Sequence, residues 1–192
     1  MRAFVVPRVI APPSPAWAVG ALGVVALLAR PWFLPAGVDL EWRVVFFLSL
    51  GLAGACWPLA RGRSSDRAGL SVSLVVLGVG AAGFVLGRAL LEVPVGPRSL
   101  ALAIGLNALA AVAEEAFFRR HLYSLLEASW GPTAALLGTA VAFAVVHVTV
   151  WGWWVLPLDL AAGLVLSWQR AATGRWSVPA ATHVLANTLA LL

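Results

Sequence analysis

Long apolar runs, broken by short clusters of Pro, Gly and Arg, organise this chain from end to end. Seven can be marked: 16–34, 42–60, 70–91, 99–128, 132–155, 156–172 and 178–192. Within each run the apolar residues are continuous rather than alternating, which excludes the strand pattern of a membrane barrel and predicts helices. Most approach or exceed the roughly 20 residues that a helix needs to cross about 30 Å of hydrocarbon. The first run is interrupted by Arg30-Pro31 and the last is short, so the pattern predicts an all-α polytopic transmembrane helical bundle of about six to seven spans. Breaks fall at Pro35-Ala36-Gly37, between Pro94 and Pro97, at Gly131-Pro132 and at Thr173-Gly174, all of them turn chemistry.

Composition agrees with a bilayer rather than a soluble core. Of 192 residues, 61% are hydrophobic and 11% charged, against about a quarter charged in soluble domains. All 13 basic residues are Arg, and the net charge is +5. In a soluble chain such a balance would point to nucleic acid. Here the arginines stand singly or in pairs at the ends of apolar runs, where they orient spans and reach the interface. The expected partner is therefore membrane lipid and not nucleic acid. With the N-terminus inside and seven spans, Arg2, Arg8, Arg61, Arg63, Arg67, Arg119, Arg120, Arg170 and Arg175 fall toward the cytoplasm, and Arg30, Arg43, Arg88 and Arg98 fall outside. That excess predicts an N-in, C-out, multi-pass protein of the cytoplasmic membrane. Arg2 and Arg8 ahead of an apolar run imitate a signal peptide, but without a small-residue cleavage site an uncleaved first helix is expected. The lone Cys56 is expected to be a buried thiol.

Ionisable groups inside spans are expensive and mark function by default. The set here is Glu114, Glu115, His147, Asp159 and His183, with Asn187 as a polar companion. Adjacent helical residues point about 100° apart, so Glu114 and Glu115 face different ways. Glu115 and Arg119 have the spacing and order of a favourable ion pair. Two readings of Glu114 follow: a base left free for chemistry, or a second carboxylate that helps neutralise Arg119 and Arg120. Phe143 and His147 are four apart and share a face. Glu114 lies 17 residues before Gly131 and His147 lies 16 after it. If Gly131-Pro132 is a hairpin turn, the two meet at the same depth, roughly 24 Å from it. A Glu and a His so placed can activate water. His183 and Asn187 also share a face and both donate hydrogen bonds; either an oxyanion site or an interhelical clasp fits them. His183 follows Gly174-Arg175 by only about 12 Å of helix, half the depth of Glu114. Asp159 is expected at the interface, capping its helix beside the anchoring cluster from Trp151 to Trp154.

Glu114-Glu115-x-x-x-Arg119, Phe143-x-x-x-His147 and His183-x-x-x-Asn187 occur in that order on separate apolar runs. Together they resemble the three signature motifs of the CAAX protease and bacteriocin-processing family of intramembrane glutamic proteases, over about residues 100–190. The approach to the third motif, from Gly163 to Trp168 and from Thr173 to Ala180, is similar as well. The resemblance implies a catalytic core at 99–192, preceded by transmembrane helices at 1–98 that carry no such motif. It implies that Glu114 is the base and acts with His147, that His183 and Asn187 stabilise the oxyanion, and that Glu115 and Arg119, with Phe143, support the site.

The function expected is hydrolysis of a peptide bond in a membrane-anchored protein or peptide, such as a sorting or maturation signal, without cofactor or metal. Zinc His-Glu-x-x-His and Gly-x-Ser-x-Gly motifs are absent from the sequence. Three other readings keep the same residues. They are a non-catalytic scaffold or immunity protein, a metal-dependent protease with Glu114, His147 and His183 as ligands, and a proton-coupled transporter.

Overall fold

The computed structural model describes residues 14–35, 37–56, 67–91 and 100–192. Arg2, Arg8, Arg61, Arg63 and Arg98, the break between Pro94 and Pro97, Ala36, and the boundary expected at 98/99 lie outside the described residues.

The fold is an all-α membrane bundle. The first apolar run becomes α1 (Ser14–Leu28) and the single turn α2 (Arg30–Phe33). Pro31 explains the break, because its ring suits the first turn of a new helix and cannot continue an old one. Next come α3 (Leu40–Cys56) and α4 (Leu70–Leu91). The fourth run forms one rod composed of α5 (Leu100–Glu115), a π-helical segment (Ala116–Leu122) and α6 (Tyr123–Trp130). Gly131 ends it at φ 88°, a value that a side chain would strain. Pro132 then opens α7 (Pro132–Trp151), so the predicted hairpin turn is present. A 3₁₀ turn (Trp153–Val155) leads into α8 (Leu156–Thr173), and α9 (Ser177–Leu189) follows.

Among the described residues, three helices are long and apolar enough to cross a membrane: Leu70–Leu90, Ala101–Trp130 and Pro132–Trp151. The rod from Ala101 to Trp130 is the centre of the bundle. α3 packs on α5 and the π segment, α9 lies along α5, and α7 returns against α6. α8 runs back along α7, while α4 covers α8 and α9. At Gly163 on α8, an added Cβ would lie 2.9 Å from the Ala140 carbonyl oxygen, so glycine sets the close approach of α7 and α8.

The outside of the bundle is apolar, and its interior combines an aromatic and aliphatic core with buried polar groups. Leu22, Leu52, Leu70, Leu74, Val75 and Leu90 are exposed, as a lipid-facing surface requires. Glu115, Arg119, His121, Thr139, Ser167, Gln169, Thr173 and Thr182 are fully buried. Two expectations are corrected by this packing. Cys56 is exposed rather than buried. Arg119 does not reach a cytoplasmic surface, because its side chain is 0% exposed inside the bundle. Arg170 Nε donates to the Arg119 carbonyl at 2.9 Å, and its guanidinium lies 5.2 Å over the Tyr123 ring. Arg170 thus ties α8 to the rod, and α9 brings His183 to the buried Glu115 carboxylate.

Candidate active site

The two glutamates face apart, as helical geometry dictates. Glu115 Oε1 accepts from Arg119 Nη1 at 2.8 Å, and both side chains are 0% exposed. Arg119 is held further by donation from Nη2 to the Gly163 carbonyl at 3.2 Å and by the Phe143 ring, 4.6 Å from its guanidinium carbon. Glu115 Oε1 also accepts from His183 Nδ1 at 3.0 Å. One buried carboxylate therefore ties the rod to α9, and its arginine ties the rod to α8.

Glu114 has a different surrounding. Its Oε2 lies 3.7 Å from His147 Nε2, across the α5–α7 interface. The depth match counted from Gly131 is realised. His147 Nδ1 stands 2.8 Å from the Phe143 carbonyl oxygen. A carbonyl only accepts, so Nδ1 carries a proton and donates, which leaves Nε2 as the nitrogen turned toward Glu114. Glu114 is not free, however. Its Oε1 accepts from Arg30 Nη1 at 2.9 Å, an ion pair between groups 84 residues apart. Arg30 is the first residue of α2, directly after the break that follows α1, and is expected from the sequence at the outer surface.

Phe143 is the apolar hub. Its ring centroid lies 4.5 Å from that of His147, 5.5 Å from that of His183 and 5.6 Å from that of Phe118. Asn187 is placed differently: its Nδ2 donates to the Asn107 carbonyl at 3.4 Å, linking α9 to α5. Its recorded bond is thus the interhelical clasp rather than a contact to Glu114 or His147. The capping role expected of Asp159 is corrected. It stands in the first turn of α8, makes no cap, and lies within electrostatic reach of His147, Glu114 and His183.

Sequence reading missed three features. Arg30 carried a signal, since an arginine before a proline interrupts an otherwise apolar run. His121 is fully buried with Nε2 3.1 Å from the Ala16 carbonyl oxygen, and it fastens α1 to the rod. The π segment directly after Glu115 has no local signal, although such distortions cluster at functional sites. Among the described residues no group of three or more His, Cys, Asp and Glu side chains has the arrangement of a metal site.

Residues 96–189 match a family model described as Rce1-like, type II CAAX prenyl endopeptidase Rce1-like. No curated protein matches the chain, and no solved structure does. The matched stretch holds the whole rod from α5 to α6 and every motif residue from Glu114 to Asn187. Over residues 96–189 the chain is similar to the Rce1-like type II CAAX prenyl endopeptidase family, which supports a membrane protease of the CAAX type.

Proposed function

We propose that this protein is a glutamic intramembrane peptidase in which Glu114 and His147 activate a water molecule against a peptide bond. One observation carries the reading. Glu114 Oε2 faces His147 Nε2 at 3.7 Å while Nδ1 of that ring stands on the Phe143 carbonyl, so in the neutral tautomer that this bond selects both facing atoms are acceptors. Two acceptors at that separation are reconciled by a donor between them, and a water molecule has the two protons needed. Water so held passes one proton to Glu114 as its oxygen attacks the carbonyl carbon. The tetrahedral oxyanion collapses, the C–N bond breaks, and the proton on Glu114 goes to the leaving amine.

His183 fits the oxyanion role under one condition. Its Nδ1 is committed to Glu115, so Nε2 donates to an oxyanion only when the ring is an imidazolium. Asn187 joins the site only if its amide leaves the long bond to Asn107. The substrate is a membrane-anchored protein or peptide, a sorting or maturation signal among the candidates, and the enzyme is a multi-pass protein of the cytoplasmic membrane.

The test uses detergent-purified protein and membrane-anchored peptides, comparing wild type with Glu114→Ala and His147→Ala, with and without chelator. Chelator-resistant cleavage abolished by both substitutions is expected. Cleavage lost to chelator and restored by zinc would move the chemistry to a metal. Full cellular function in Glu114→Ala would favour a non-catalytic scaffold.

A further inference from the structure

We infer that Arg30 is a positioning residue for the base, so that the α1–α2 junction is a working part of the active site. The inference rests on the reading of Glu114 proposed above. A glutamate carboxyl group turns through a broad, roughly two-fold torsion and does not fix its own oxygens. Here Arg30 Nη1 holds Oε1 at 2.9 Å, which leaves Oε2 as the oxygen turned to His147. The anchor thereby decides which oxygen receives the proton from water. His147 does not fix the carboxylate, because 3.7 Å is beyond a direct hydrogen bond.

Arg30 is itself fixed. The Arg30 carbonyl accepts from Leu34 N at 2.7 Å, and Trp32 N donates to Ala29 at 3.0 Å, which closes the turn after the break. The guanidinium carbon lies 6.0 Å from the Phe47 ring centroid on α3. Arg30 also stands nearer the opening of the site, with 13% of its side chain exposed against 4% for Glu114. Arg119 cannot replace it, being occupied by Glu115, Gly163 and Phe143.

The charge movement in the reaction suits this placement. As the proton reaches Glu114, negative charge passes to the tetrahedral oxygen nearby. The guanidinium keeps an anionic neighbour throughout and needs no large reorganisation. Arginine suits such a site better than lysine, because its planar fork is rigid and its charge is permanent. Arg30 also lies outside the 96–189 family match. The matched residues alone supply the base without its anchor.

The experiment compares the full-length purified chain carrying Arg30→Gln, Arg30→Lys or Arg30→Ala with wild type and Glu114→Gln, on one membrane-anchored peptide. For Arg30→Gln, kcat is expected to fall by about 100-fold, the loss typical of a misplaced reacting group, while KM stays near the wild-type value. Arg30→Lys keeps an intermediate kcat, and added guanidinium ion restores part of the rate of Arg30→Ala in a saturable manner. Thermal melting in detergent closes a cycle: the Arg30→Gln/Glu114→Gln double variant melts above the sum of the single losses. Wild-type kcat in Arg30→Gln, beside an inactive Glu114→Gln, overturns this inference and leaves the peptidase reading intact. Equal loss in the Lys and Gln variants, with no guanidinium rescue and additive melting, assigns Arg30 to packing and also overturns it. Wild-type cleavage by Glu114→Gln removes the base itself, and both readings fall together.

Discussion

The helices before and after the start of the family match bury different chemistry. Among the described residues, α1, α3 and α4 contribute mainly Ala16, Leu27, Leu50, Val76 and glycine to the interior, with Ser73 bonded back to its own helix. The stretch from α5 to α9 buries two carboxylates, an arginine, three histidines, a glutamine and several hydroxyl groups. One region is a sleeve that presents leucine and valine to lipid. The other is a polar interior that a bilayer tolerates because its charged groups are paired or bonded. The contrast fails at one residue, Arg30, where the sleeve reaches into the polar interior and grips Glu114. A recognisable motif set therefore does not mark the full extent of a site.

Breaking the polar interior has the largest expected effect. Arg119→Leu strands Glu115 in a buried position and should destabilise the bundle by about 3–5 kcal/mol, read as a lower melting temperature in detergent. His147→Ala should leave the fold intact and lower kcat by about 100-fold or more, measured on an anchored peptide. Gln169 joins the two regions, donating to the Val76 carbonyl at 3.0 Å and to Thr182 Oγ1 at 2.9 Å. Gln169→Ala should loosen α4 from α8 and α9 at about 1–3 kcal/mol, seen as faster proteolysis near α4. Leu74→Ala on the lipid face should change stability by no more than about 0.5 kcal/mol. A large loss there would mean that α4 is covered by protein rather than lipid, and the contrast between regions would need redrawing.

What the sequence revealed follows the range of its signals. Helical spacing separated Glu114 from the Glu115–Arg119 pair, and counting from Gly131 set Glu114 level with His147, because both arguments concern one helix or one hairpin. Arg30 escaped because its contact spans 84 residues and no local period encodes it. Cys56 was misjudged for another reason. In a uniformly apolar helix, hydropathy does not separate a lipid face from a core face. The π segment escaped because it depends on tertiary packing: Phe117, Phe118 and His121 are all buried around it. The position of Asp159 near a helix start suggests a cap, yet it makes none, and the return of α8 along α7 brings it within electrostatic reach of the histidines.

The central claim is that Glu114 takes a proton from water in the gap facing His147. The most direct measurement is the cleavage rate of one membrane-anchored peptide by chelated, folded wild type and by Glu114→Gln, which keeps the shape and removes the base. The account predicts steady cleavage by wild type and a loss of about 1,000-fold or more in the variant. Cleavage by Glu114→Gln within a few-fold of wild type would contradict it.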